Sequence, residues 1–346
     1  MIKAGIIGST GYAGAEIARL LLKHRDVEIK WLVSRSFAGQ NYEDIFRNLF
    51  ELIEKECTDI NIADMAEGVD VIFTATPQGF LQGSLTAGLL EKCRFVDMSA
   101  DYRIKDVSVY EKWYGMEHHS PELLSEAVYG LTEVNREQIK KTRLLANPGC
   151  FTTCSILTAY PLMKEHMIEK DSLVINALSG VSGAGRGAKA ANLFCEVNES
   201  AKAYGVTSHR HTPEIEEQLG YSYGEKLTVQ FTPHLVPMNR GILATETAKL
   251  CKEHSYEEVR QVYDRYYKNE RFIRVLKKDM CPETRFVEGS NYVDIGFKID
   301  ERTGNIILMG ALDNLEKGAA SQAVQNFNVM FGFDESEGID DIPMVP

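Results

Sequence analysis

The chain opens Ile2-Lys-Ala-Gly-Ile-Ile-Gly8-Ser9-Thr10-Gly11-Tyr12-Ala13-Gly14, an apolar strand-like run that meets three glycines at intervals of three. It then passes into a helical pattern with Ile17, Leu20 and Leu21 on one side. Strand, glycine turn and amphipathic helix in that order form the first half of a βαβ unit. Such glycines let the backbone turn sharply and approach a pyrophosphate, which sits at the positive end of the following helix. The spacing is G-x-x-G-x-x-G rather than G-x-G-x-x-G, and a glycine triplet by itself also suits a turn that binds nothing.

The rhythm that follows strengthens the nucleotide reading. Strand-like stretches at residues 29–33, 69–74 and 95–98 alternate with helical patterns at 14–24 and 81–91, as a parallel sheet of the Rossmann type requires. From about residue 148 a helix-like run at 156–166 precedes strand candidates at 173–178, 226–232, 241–249, 291–299 and 305–312. That texture suits an α+β domain with a mixed or antiparallel sheet and helices on one face. The expected division is therefore 1–147 for nucleotide binding and 148–313 for catalysis, substrate and oligomerisation, with a tail at 314–346. In the tail, Leu315, Ala319, Ala323, Phe327 and Met330 at helical spacing predict a helix that returns to the first domain.

Composition narrows the partners. A formal net charge of -12 without a compensating Lys/Arg run disfavours nucleic acid and anionic membranes. No apolar stretch approaches the ~18 to 20 residues needed to span a bilayer, and the N-terminus enters a strand without a leader-like segment, so a cytoplasmic protein is expected. Seven cysteines without C-x-x-C pairs or zinc-ligand spacing fit reduced thiols and no metal site.

Three segments carry candidate chemistry. The second strand ends Leu32-Val33-Ser34-Arg35-Ser36, where an acidic residue would bind the ribose hydroxyls of NAD. A hydroxyl and a guanidinium at Ser34 and Arg35 suit a 2′-phosphate and predict NADP (NADPH), although Arg35 also reads as a solvated loop cation. Asn147-Pro148-Gly149-Cys150 leads a short strand into a helix, with Asn147 expected as N-cap and Pro148 in the first turn. Cys150 then lies among helix-terminal amides that favour a thiolate, the nucleophilic form. Cys154, one turn on, is the rival and reads as packing. His209-Arg210-His211 is expected as an extended stretch, with both imidazoles on one side as thiol partners and Arg210 on the other. Arg103, Arg186, Lys189 and Arg210 are candidate cations for an acidic substrate.

The blocks Asn147-Pro148-Gly149-Cys150-Phe151, Ser179 to Arg186, His209-Arg210-His211-Thr212-Pro213-Glu214-Ile215 and Asp313-Asn314-Leu315-Glu-Lys317-Gly318 resemble the successive signatures of the N-acetyl-gamma-glutamyl-phosphate reductases. These form a branch of the aspartate/glutamate semialdehyde dehydrogenase family. The resemblance implies a glyceraldehyde-3-phosphate-dehydrogenase-like fold and NADPH-dependent reduction of an acyl phosphate through a Cys150 thioester, in arginine biosynthesis. His209 is implied as the acid-base. Thr76, Pro77, Ser182, Gly183, Asn314 and Lys317 are implied to join Gly8, Ser9, Thr10, Gly11, Tyr12, Gly14, Ser34 and Arg35 at the cofactor. Arg103, Asn147, Ser179, Glu196, Arg210 and His211 are implied at the substrate, and a homodimer or homotetramer is implied as the assembly. Sister reductases acting on aspartyl phosphate or carrier-linked aminoadipate remain alternatives, and a catalytically silent NADP-binding regulator is a remote one.

Overall fold

The computed structural model describes residues 1–345, which divide into two compact units. The first comprises Met1–Pro148 with Ala319–Asp341. The second comprises Gly149–Gly318 with residues 342–345.

The first unit is built on seven strands: β1 (Ile2–Ile7), β2 (Val27–Val33), β3 (Cys57–Thr58), β4 (Val71–Thr74), β5 (Arg94–Asp97), β6 (Ala127–Tyr129) and β7 (Leu144–Ala146). Their order is β3-β2-β1-β4-β5-β7-β6, and every pairing is parallel. Parallel strands are covered on both faces, which is why Val71, Ile72, Phe73 and Thr74 are all buried instead of alternating. The order reverses between β1 and β4, so the crevice at their carboxyl ends is the topological switch point where such sheets bind ligands.

The helix after β1 runs Tyr12–Leu21, capped by Gly11, and is shorter at its far end than the expected 14–24. The expected helix at 81–91 forms only over Ala87–Lys92, where the Thr86 side chain accepts from the Leu89 amide. Upstream, Gly79 at φ 89° holds the chain in turns. The tail is helical over Ala320–Phe331 and not from 314, since residues 314–319 form a turn in which Gly318 lies against Asn314. That tail helix belongs to the first unit. Phe327 packs 5.7 Å from Phe73, and Asn328 bonds His24 Nε2 at 3.0 Å.

The second unit holds β8 (Val174–Ser179), β9 (Lys202–Ala203), β10 (Gln230–Leu235), β11 (Ile242–Lys249), β12 (Ile273–Val275), β13 (Val293–Asp300) and β14 (Asn305–Leu312). The sheet is mixed, in the order β12-β13-β14-β11-β8-β10-β9, with β8–β10 and β12–β13 parallel and the remaining pairs antiparallel. Along β11, Ile242, Ala244, Glu246 and Ala248 are buried whereas Thr245 and Lys249 are exposed, so one face carries the core. Helices Cys150–Lys164, Thr212–Tyr223 and Tyr256–Tyr267 supply that core, with the hydroxyls of Tyr263 and Tyr267 donating to the carbonyls of Thr158 and Leu157. The strand expected at 226–232 lies at Gln230–Leu235. No helix among the described residues is long and apolar enough to cross a membrane.

Candidate active site

In the first unit, the turn after β1 shows why glycine is needed. Gly8 sits at φ 76°, and a Cβ there would lie 2.3 Å from the Ala75 carbonyl oxygen, so the glycine turn is pressed against the segment that leaves β4. A Cβ on Gly14 would lie 2.3 Å from Gly8 O. The Tyr12–Leu21 helix has no side-chain cap and no acidic residue in its first turn, which leaves its positive end open to an anion. This donor set fits a dinucleotide pyrophosphate. Tyr12 is 40% exposed at the first helical position. Thr10 Oγ1 and Ser34 Oγ lie 2.7 Å apart, which brings the end of β2 to the same turn. Arg35 follows with its side chain 79% exposed, in an ion pair of 3.7 Å with Asp59. Ser9 is buried with its hydroxyl on Val33 O, and Tyr42 donates to Ser9 O at 2.7 Å. Tyr42 has no counterpart among the expected residues, because an isolated tyrosine carries no local signal. Thr76 and Pro77 follow β4.

Arg103 is buried and donates from Nη2 to Met98 O at 2.7 Å. Asn147 is fully buried. Its amide donates to Ala319 O at 3.1 Å and its oxygen accepts from Asn326 at 3.0 Å. It does not cap the next helix: that N-cap is Gly149 at ψ 157°, and Cys150 is the first helical residue. The buried amide of Asn147 instead ties β7 to the tail.

In the second unit, the mouth of the Cys150–Lys164 helix is organised by a residue the motif reading passed over. Glu214 is fully buried, accepts the Gly149 amide at 3.0 Å and lies 2.8 Å from Thr152 Oγ1. It sits inside the quoted His209–Ile215 block, yet its distance of 65 residues from Gly149 hides the contact from local spacing. Cys150 is half-buried. Cys154 is fully buried, and burial pushes its thiol far above the ordinary range.

His209 and His211 do not lie in an extended stretch. They form the turn that enters the Thr212–Tyr223 helix, with His211 as its N-cap at φ -79°, ψ -15°. The turn still brings the two imidazoles together, 4.8 Å between ring centroids, and the His211 amide donates to His209 Nδ1 at 3.2 Å. With Nδ1 accepting, the neutral ring carries its hydrogen on Nε2. Phe151, next to Cys150, packs edge-on against His209 at 5.7 Å and His211 at 6.0 Å. Burial, then the Arg210 charge, lowers the His209 pKa to about 4 against the opposing pull of Glu214. His209 is therefore neutral at physiological pH. Tyr204, a neighbour that no motif announced, packs edge-on against His209 at 5.4 Å, and burial, then its nearness to Cys150, pushes its phenol up. Arg210 and Glu196 are exposed, Glu196 in the short Phe194–Val197 helix.

Ser179, Ser182, Gly183 and Asn314 converge. Asn314 Nδ2 donates to Ser182 Oγ at 2.9 Å, its Oδ1 accepts the Gly241 amide at 2.7 Å, and a Cβ on Gly183 would lie 3.3 Å from Ser179 Oγ. Lys317 is fully buried in the same unit.

Comparison with known proteins fits this two-part arrangement. The family described as "Semialdehyde dehydrogenase, NAD binding domain" matches residues 3–142, and "Semialdehyde dehydrogenase, dimerisation domain" matches residues 150–314. The fold also matches the aspartate semialdehyde dehydrogenase II of Vibrio cholerae, with a TM-score of 0.72 at 16% identity over 96% of this chain and 99% of that one. A second match is the Candida albicans aspartate semialdehyde dehydrogenase with NADP, at 0.69 and 18% over 96% and 98%. The class is thus that of the semialdehyde dehydrogenases. N-acetyl-gamma-glutamyl-phosphate reductases of Lachnoclostridium phytofermentans and Lachnospira eligens are each 62% identical over the whole of both chains. The Campylobacter jejuni protein of that name is 53% identical over 98% of each chain. The chain belongs to the N-acetyl-gamma-glutamyl-phosphate reductase family.

Proposed function

We propose that this protein catalyses NADPH-dependent reduction of N-acetyl-L-glutamyl 5-phosphate to N-acetyl-L-glutamate 5-semialdehyde and phosphate, a step of arginine biosynthesis, with Cys150 as nucleophile. The observation that carries it is the full-length 62% identity to reductases of that name, together with a half-buried cysteine at the first position of a helix. The helix-terminal amides and dipole favour the Cys150 thiolate, while the Glu214 carboxylate below works against it. Cys150 Sγ bonds to the acyl carbon as the carbon–oxygen bond to phosphate breaks, leaving a thioester and inorganic phosphate. The cofactor, when bound, supplies the hydride that reduces the thioester carbonyl. Collapse of the resulting thiohemiacetal oxyanion breaks the carbon–sulfur bond, releases the aldehyde and regenerates the thiolate.

His209 is the group proposed to exchange protons and hydrogen-bond with the sulfur and the oxyanion, because its neutral ring offers an Nε2–H beside Phe151. His211, Arg103, Arg210, Ser179 and Glu196 are proposed substrate contacts. Asn147 is proposed instead to have a structural role, since its side-chain amide is engaged by Ala319 O and Asn326. The glycine turn, Ser34 and Arg35 are proposed to hold NADP, with Thr76, Pro77, Ser182, Gly183, Asn314 and Lys317. That none of the seven cysteines forms a disulfide supports a reducing, cytoplasmic setting. A homo-oligomer formed through the second unit is proposed from the dimerisation-domain match, and a solution mass equal to one chain would argue against it.

The deciding experiment is phosphate-dependent NADP reduction with N-acetylglutamate semialdehyde against aspartate semialdehyde. A preference of at least about tenfold in kcat/KM, roughly 1.4 kcal/mol, is expected for the acetylated substrate. Equal or reversed preference assigns the chain to a sister activity.

A further inference from the structure

Beyond the residues that would touch the dinucleotide, the first unit contains a fully buried carboxylate with no assigned role. Asp101 Oδ1 accepts the Gly79 amide at 2.8 Å and the Tyr110 hydroxyl at 3.0 Å, while Oδ2 accepts the Gln82 amide at 3.2 Å. It thereby grips two amides of the loop that begins with Thr76 and Pro77. Behind it, the Asp101 amide donates to Ser99 Oγ, which donates to Asp97 Oδ2 at 2.7 Å, and Asp97 Oδ1 accepts from Thr74 Oγ1 at 2.7 Å. A continuous chain of hydrogen bonds thus runs from the last residue of β4, across β5, and back to the loop that leaves β4. The start of that loop meets the glycine turn, where Ala75 O leaves no room for a Cβ on Gly8.

We propose that Asp101 is a positioning residue that sets the Thr76–Gln82 loop, numbered 76–82, against the glycine turn and so determines how tightly the dinucleotide is held. The inference rests on the reading that these two segments bind the cofactor. A carboxylate suits the position chemically because all three groups that hydrogen-bond its two oxygens are donors. An asparagine in its place turns one acceptor into an NH2 that confronts a backbone N–H, and the loop must shift to relieve the clash.

The test is NADPH binding by titration calorimetry to the intact protein and to Asp101→Asn, Tyr110→Phe and Gly11→Asp, with amide exchange followed at Gly79 and Gln82. Asp101→Asn is expected to weaken NADPH about tenfold and to speed exchange at both amides. Tyr110→Phe, which leaves both loop bonds in place, is expected to change affinity less than about threefold. A folded Asp101→Asn that binds NADPH like the parent overturns the proposal, even if it melts earlier, since a purely structural role would lower the melting point alone. Should that variant fail to fold, Ser99→Ala decides: weaker binding with faster Gly79 exchange supports the proposal, and unchanged binding overturns it. Gly11→Asp separates the two levels, because it places a carboxylate at the pyrophosphate position without touching Asp101. If it binds NADPH normally, the cofactor site itself has been misassigned, and the proposal falls with it.

Discussion

Cys150 and Cys154 lie one helical turn apart, and burial is what distinguishes them. Cys154 faces the sheet, where a Cβ on Gly310 would lie 3.0 Å from its sulfur, so its ionised form would have no solvation. Cys150→Ser is expected to reduce turnover at least about a thousandfold, whereas Cys154→Ala keeps activity within a few-fold, as measured by NADP reduction. Loss of activity in both would mean the helix, not the sulfur, is the sensitive element. His209 carries a pH signature. In the folded protein it stays neutral down to about 4, while the unfolded chain takes up its proton near 6.5. Its contribution is present above pH 6.5 and is lost as pH falls toward 4, by roughly 3 kcal/mol at most. His209→Gln should show a shallower loss of stability over that window in urea titrations at stepped pH, and an unchanged slope would mean that His209 is solvated. The place of Cys150 at the start of a helix was legible from Asn147-Pro148-Gly149-Cys150, because strand-to-helix junctions have local chemistry, although the cap is Gly149 and not Asn147. Burial of His209 was not, because it depends on Phe151, Tyr204 and Phe231, which are distant in sequence.

At the scale of elements, the glycine turn gives the sharpest expectation. Gly11 is the N-cap at φ -76°, ψ 166°, a conformation open to any residue, and a Cβ there would meet only Gly8 O at 3.5 Å. Aspartate is a good N-cap, so Gly11→Asp should hold or raise stability by up to about 1 kcal/mol while weakening NADPH tenfold or more. Thermal melting and fluorescence titration on one preparation separate the two effects. Loss of both stability and binding would show that the position is sterically closed. Strand periods and glycine turns were readable in the order of residues, and β1 and β14 fall where the pattern placed them, at Ile2–Ile7 and Asn305–Leu312. The helix expected at 81–91 was curtailed because Gly79 and the capping Thr86 outweigh the apolar spacing of Leu81, Leu85, Leu89 and Leu90. The extended reading of His209-Arg210-His211 failed for a related reason. Thr212-Pro213 starts a helix, and the chain must turn to enter it.

For the molecule as a whole, stability includes a debt in the second core. Glu246 is fully buried between β11 and the Cys150–Lys164 helix, with the neutral Ser155 hydroxyl beside its carboxyl. Burial holds its carboxyl well above the usual carboxylate range. The protonated form is the one the fold accepts, so stability is fullest below about pH 4.5 and declines as pH rises through the folded pKa. Glu246→Gln, neutral at every pH, is expected to raise the urea midpoint at pH 7 by the equivalent of about 1–3 kcal/mol, with the gain vanishing near pH 4. A variant less stable than the parent at pH 7 would show that Glu246 is solvated or ionically paired.

By itself the sequence determined the alternation of strand and helix, the glycine turn after β1 and the cysteine at a helix mouth, since each follows from steric and hydrogen-bonding preferences among residues close along the chain. Tertiary structure alone decided which charges lose water: Glu214 beneath Gly149, Asp101 under the loop that leaves β4, Glu246 inside a sheet. Desolvation depends on what packs around a group from remote parts of the chain, and no local pattern of residues encodes it.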